Sequence, residues 1–161
     1  LDDNHGIAAY PLEYVNRPSV IAQIDNMVSI NSCVAVDLYG QVAAESAGAR
    51  QISGTGGQLD FLIGASASRG GKAFICMSSV HTDRHGGKHS RIKPQFDGDI
   101  ITSPRSQVYF LATEYGVINL EGRSTWERAE ALISIAHPDF REMLVREAEK
   151  KKIWRRSNRR G

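Results

Sequence analysis

A chain of 161 residues, 41% hydrophobic and 24% charged, has the make-up of an ordinary globular protein and is long enough for one domain with a sizeable core. It holds no run of about 18 apolar residues, so no membrane-spanning helix is expected, nor does a charged-then-apolar signal open it. The net charge of +2 is misleading: the tail KKKIWRRSNRRG carries seven basic residues and no acid, so the body is net acidic and nucleic-acid binding by the fold is not expected.

In chain order, Ile7 to Val15 (IAAYPLEYV) reads as a short strand, and Pro18 suits the first turn of a helix. Val28, Ile30, Val34, Val36 and Leu38 alternate as in one strand ending at Tyr39-Gly40, and QVAAES then resumes extended structure, which predicts a hairpin. After a glycine-rich loop, QLDFLIGASAS reads as one or two helical turns, and KAFICMSSV as a buried strand. HTDRHGGKHSRIKPQF is the least ordered stretch, followed by a buried strand from Val108 to Ala112. Ser124 and Glu127 form a capping box that opens a helix with Trp126, Ala129, Leu132, Ile133 and Ala136 on one face. Pro138 opens a last helix with Phe140, Met143, Leu144 and Ala148 on its apolar side. Strands followed by two helices, with a helix between, indicate an α/β or α+β domain with a mixed sheet. Residues 1–149 form that domain and 150–161 the basic tail, read as a solvated helix end, with binding to nucleic acid or an anionic surface as its other reading.

QISGTGGQLDF, from Gln51 to Phe61, raises the sharpest chemical question. Gly54, Gly56 and Gly57 supply backbone that can turn left-handed or approach a ligand closely. A dinucleotide fingerprint fails because Leu59 stands where the third glycine belongs, and a Walker loop fails because no Lys-Ser/Thr follows. Two readings remain: a tight turn, or free N–H groups opening a helix to hold a phosphate or the oxyanion of an acyl carbonyl.

The other constellations are weaker. His81, His85 and His89 have the spacing of ligands on a helix, but Gly86-Gly87 breaks that helix, so a solvated loop is expected and no metal site. Glu114 ends a buried strand before a Tyr-Gly turn, where it serves either as a nucleophile or as a carboxylate bracing the turn; Asp37 and Asp60 pose the same choice less sharply. Cys33 and Cys76 form no C-x-x-C pair and read as small buried hydrophobes in a reducing cytosol.

NSCVAVDLYGQVAAES, QISGTGGQLDFLIGASASRGGKAFI and TEYGVINLEGRSTWERAEALISIAHPDFRE together resemble the C-terminal domain of the acetyl-CoA hydrolase/4-hydroxybutyrate CoA-transferase family. The resemblance runs from Ile7 to Glu147. It implies a CoA-transferase-like domain of the NagB/RpiA type, with a mixed, mostly parallel sheet flanked by helices. It further implies an acyl-CoA:carboxylate CoA-transferase, or an acetyl-CoA hydrolase, that works in the cytoplasm through a glutamyl-CoA thioester. Coenzyme A is then a substrate and no cofactor is permanently bound. Gly57 matches the oxyanion-holding N–H, Asn16 in VNRPSV matches an active-site asparagine, and Gly54, Gly56 and Gln58 belong to the CoA- and substrate-binding loop. The family's nucleophilic glutamate lies in an H-[ST]-E-M-x-x-D-G-type segment that these residues lack, which implies a missing N-terminal domain of the same chain, a homo-oligomer, and a structural role for Glu114. A non-catalytic CoA-binding module is the alternative in a different class.

Overall fold

In the computed structural model, which describes residues 3–153, a four-stranded sheet is built on three parallel strands. β1 (Val28–Ser32) pairs with β6 (Lys72–Cys76), β6 with β10 (Phe110–Thr113), and β11 (Gly116–Asn119) returns antiparallel to β10. Between β1 and β6 the chain makes a small second sheet from β2 (Ala35–Asp37) and β3 (Val42–Ala43), later joined by β9 (Ile92–Lys93). Two hairpins stand apart: β4 (Ser46–Ala47) with β5 (Arg50–Gln51), and β7 (Val80–Thr82) with β8 (Lys88–Ser90). The helices are α1 (Leu12–Val15), α2 (Pro18–Ile21), α3 (Gln58–Ala67), α4 (Thr125–Ser134) and α5 (Pro138–Lys150), with a 3-10 turn at Arg105–Gln107. This is the mixed, mostly parallel α/β architecture that the resemblance implies, with two helices at the C-terminal side.

The core lies on one face of the large sheet. Ala73, Ile75 and Leu111 pack with Leu62 and Ala65 of α3, Ala129 and Leu132 of α4, and Leu144 and Ala148 of α5. Each fully buried leucine there contributes roughly 1.5–3 kcal/mol. Helix α3 sits close against α2 because Gly64 presents no side chain: a Cβ there would lie 2.6 Å from Ile21 Cβ and 3.1 Å from the Pro18 carbonyl oxygen. Ser68, which ends α3, donates to the Ile24 carbonyl at 2.6 Å and accepts from the Met27 N–H at 3.2 Å, tying the lead-in of β1 to the helix. The capping box of α4 closes: the Ser124 N–H donates to Glu127 Oε2 at 2.8 Å, and the Glu127 N–H donates back to Ser124 Oγ.

Several expectations are corrected. Residues 7–15 form no strand: Pro11 has no N–H for a ladder, and its φ of −54° leads into the single helical turn of α1. The apparent strand from Val28 to Leu38 breaks at Cys33-Val34 and switches sheets. Alternation continues across the break, yet Val28 and Ile30 are exposed while Val36 and Leu38 are fully buried. The hairpin across Tyr39-Gly40 holds, with Val36 facing Val42 and Gly40 at φ +86°. HTDRHGGKHS is an ordered hairpin: Asp83 accepts from the N–H groups of His85 and Gly87, and the turn lets His81 face His89. The strand expected at Val108 to Ala112 begins two residues later and ends one later, as β10. On α5, Leu144 and Ala148 are buried, Phe140 is half-buried and Met143 is exposed. The boundary drawn after Glu149 falls one residue inside the end of α5; Lys151 folds back on the body, its Nζ 3.0 Å from Gln95 Oε1. Most of the basic tail, residues 154–161, lies outside the described residues.

Candidate active site

The glycine loop leads from β5 to the N-terminus of α3, where Gly57 is the N-cap, φ −95° and ψ 10°, without a capping side chain. The first N–H groups of a helix have no partner inside it, and the helix dipole adds partial positive charge there. Gly54, Thr55 and Gly56 are exposed. Gly56 adopts φ +58°, a left-handed turn that aims the chain into the helix. A Cβ on Gly57 would collide with the Asn16 side-chain amide, whose Cγ lies 3.3 Å from that position. Asn16 caps the C-terminus of α1, and the tight packing of α2 on α3 brings its amide to the loop. So Asn16 and Gly57, distant in sequence, touch. Gln58 is 8% exposed, and its Nε2 has no hydrogen-bond partner among the described residues. A buried amide donor left unpaired costs free energy unless something accepts from it. The arrangement offers donors to an anion or to a developing oxyanion.

The loop is delivered by a buried polar network that the sequence did not announce. The Ile52 and Ser53 N–H groups both donate to the Glu45 carbonyl, at 2.8 and 3.2 Å. The Glu45 side chain, 4% exposed, accepts from Thr102 Oγ1 at 3.1 Å, and Thr102 accepts from the Ala44 N–H at 2.9 Å. Asp99 accepts from the Gly48 N–H and from Lys93 Nζ, at 3.1 and 2.7 Å.

The sequence model of the acetyl-CoA hydrolase/transferase C-terminal domain matches residues 1–148. The chain belongs to this family. It is 57% identical to a probable butyrate:acetyl-CoA coenzyme A-transferase of Syntrophomonas wolfei, over 100% of this chain and 36% of that protein. It is 54% identical to a butyryl-CoA:acetate CoA-transferase of Anaerostipes caccae, over 98% of this chain and 36% of that one. The crystal structure of RipA from Yersinia pestis superposes with a TM-score of 0.85 at 44% identity, covering 94% of this chain and 33% of RipA. The chain thus spans about a third of the length of the relatives it matches.

Within this acetyl-CoA hydrolase/transferase domain, Glu114 sits at the β10–β11 turn with both oxygens engaged. Ser79 donates its N–H to Oε2 at 2.8 Å and its Oγ–H to Oε1 at 2.5 Å. Burial works against the charged carboxylate, but the two Ser79 hydrogen bonds, with a bond from the Glu114 backbone N–H and the field of His137, together hold the group below the usual range. Asp37, fully buried, clamps its hairpin by accepting from the Tyr39 and Gln41 N–H groups and from Gln41 Nε2; burial raises its pKa despite those bonds. Asp60 lies in the first turn of α3, where an acid favours the helix dipole.

His81 and His89 stack at 4.9 Å across the β7–β8 hairpin, His89 pairs with Asp83 at 2.7 Å, and His85 lies in the turn. Among the described residues no three His, Cys, Asp or Glu side chains gather as a metal site. Cys33 is buried with its Sγ 3.4 Å from Met77 Sδ, and burial pushes its thiol up to about 12. Cys76, expected to be buried, is half-exposed, because it points to the face of the large sheet that α3 and α4 do not cover. No described helix is long and apolar enough to cross a membrane.

Proposed function

We propose that this chain is the C-terminal domain of a cytoplasmic acyl-CoA:carboxylate CoA-transferase, and that it supplies the oxyanion-holding half of the active site. The contact of Asn16 with the Cβ-free side of Gly57 carries this reading, because a bare N–H beside a side-chain amide at a helix N-terminus is what a tetrahedral oxyanion needs. Two cysteines without a disulfide support the cytoplasmic setting.

The nucleophile is a glutamate in the N-terminal part of the parent protein. Its carboxylate attacks the acyl-CoA thioester, a C–O bond forms, the C–S bond breaks, and CoA leaves as thiolate. The thiolate then attacks the glutamyl carbonyl of the mixed anhydride, releasing the first carboxylate and leaving glutamyl-CoA. An acceptor carboxylate attacks that thioester in turn, and the displaced thiolate takes the new acyl group, which regenerates the glutamate. Each addition puts negative charge on a carbonyl oxygen. The Gly57 N–H donates to it, Asn16 Nδ2 orients the acyl carbonyl, and Gln58 Nε2 is satisfied by the bound substrate. Gly54 and Gly56 keep the loop bare, so that the pantetheine end of CoA can pass close to backbone. Small carboxylates and their CoA thioesters are the substrates. Where water replaces the acceptor, the same site hydrolyses acyl-CoA.

The test is kinetic, on the full-length parent. Gly57→Ala keeps the backbone N–H but displaces the Asn16 amide, and lowers kcat/KM by at least about tenfold, part of the ~3 kcal/mol that a well-placed oxyanion donor supplies. Asn16→Ala lowers it by at least about tenfold. Unchanged kcat/KM in both variants would remove this loop from the active site.

A further inference from the structure

The large sheet has one covered face and one bare one. Parallel strands are ordinarily buried on both faces, because crossover helices pack on each side. Here pairing register puts Val28 and Ile30 of β1, Phe74 and Cys76 of β6, Phe110 of β10 and Val117 of β11 on the same side. None of the six is buried: Val28, Ile30 and Val117 are 52%, 70% and 60% exposed. Phe74 and Phe110 pack on one another at 5.0 Å, so the centre of the face is aromatic. The opposite face, with Ser29, Ala73, Ile75 and Leu111, is buried.

The edge is open as well. β1 is the outer strand and pairs only with β6 among the described strands. A groove of about 270 Å³ runs along it, lined by the consecutive residues from Met27 to Asn31 and by Phe61 of α3. Ser29 Oγ, in that groove, finds no partner among the described residues. An unpaired edge with apolar side chains beside it is a template for another strand.

We infer that the β1 edge and the Ile30–Phe110 face seat a strand-and-helix segment of the parent chain, from the residues that precede this domain. The match is to a C-terminal domain, and the relatives are about three times its length, so the parent has chain to spare on that side. β1 is also the first strand of the sheet in chain order, and sequential elements are usually neighbours in space. A strand laid parallel along β1 would continue the ladder; a right-handed crossover from it into β1 runs on the α3 side, where α2 already packs, so the bare face is covered by a helix further upstream in the parent chain. This rests on the domain reading above, but not on the chemistry proposed for the glycine loop.

A photo-crosslinking amino acid in place of Ile30, in the full-length parent, tests it. Mass spectrometry should map the adduct to residues before Leu1 of the same chain, with isotopically mixed protein separating intrachain from interchain products. Adducts to a second copy, or quenching by solvent alone, would overturn the assignment even if the protein still transfers CoA. Should that variant fail to fold, hydrogen exchange on the unmodified parent decides: the β1 amides facing away from β6 exchange at least about 100-fold more slowly than those of the Gly54–Gly56 loop. Exchange at the loop's rate would sink the proposal.

Discussion

At Gly57 the requirement is space: φ −95° is open to any residue, and only the Asn16 amide excludes a side chain. Its neighbours differ. Gly56 at φ +58° needs glycine for its backbone, although a Cβ there would meet nothing within 4 Å, and Gly54 has neither constraint. Three alanine substitutions therefore separate three effects. Gly54→Ala leaves thermal stability within about 0.5 kcal/mol. Gly56→Ala costs about 1–2 kcal/mol through left-handed strain, read from urea unfolding. Gly57→Ala costs little stability, because the colliding atoms are the end of a side chain, and spends its effect on turnover. Loss of stability at Gly57 larger than at Gly56 would contradict this ordering. The sequence pointed to the three glycines and to Asn16 through motif resemblance, but could not say that they touch, since that contact depends on how α2 packs on α3. Glu45, Thr102 and Asp99 had no signal at all: nothing in their spacing distinguishes a carboxylate that anchors a loop from one that faces water.

Among the elements, those with a strong local cause were legible. Pro18, Pro138 and the Ser124–Glu127 box fix helix starts by chemistry within one turn, and α2, α4 and α5 begin there. Elements defined by distant partners were not. The break between β1 and β2 leaves alternation intact, because both segments keep even positions apolar, and only pairing to β6 or to β9 tells them apart. The His hairpin was hidden for another reason: its order comes from Asp83, which gathers the His85 and Gly87 N–H groups and the His89 ring. The His89 bond, followed by those backbone bonds, draws the Asp83 carboxyl from 3.8 to about 2. Its folded pKa therefore lies below its unfolded one, so its contribution is complete above about pH 4 and fades as pH falls through 2. Protection of the His85 and Gly87 amides, relative to their intrinsic exchange rates, should fall across that window, and Asp83→Asn should abolish that protection at neutral pH and remove the step. A step that persists in the variant would assign the hairpin's order to something else.

For the whole molecule, the proposed function divides the site between this domain and the rest of the parent protein. This part contributes a donor-lined helix terminus on a braced loop, beside a sheet with one face and one edge unfilled. On that proposal the nucleophile lies elsewhere in the parent, and Glu114, with both oxygens accepting from Ser79, is expected to be structural. The chain alone is accordingly expected to be inactive in CoA transfer, and the parent active. The measurement that decides most directly is made on the full-length parent, incubated with acetyl-CoA, quenched with hydroxylamine or borohydride, and mapped by mass spectrometry. The account predicts one modified glutamate, in the segment before Leu1. Modification at Glu114 would contradict it, placing the nucleophile in this domain and making the Ser79 contacts part of the chemistry.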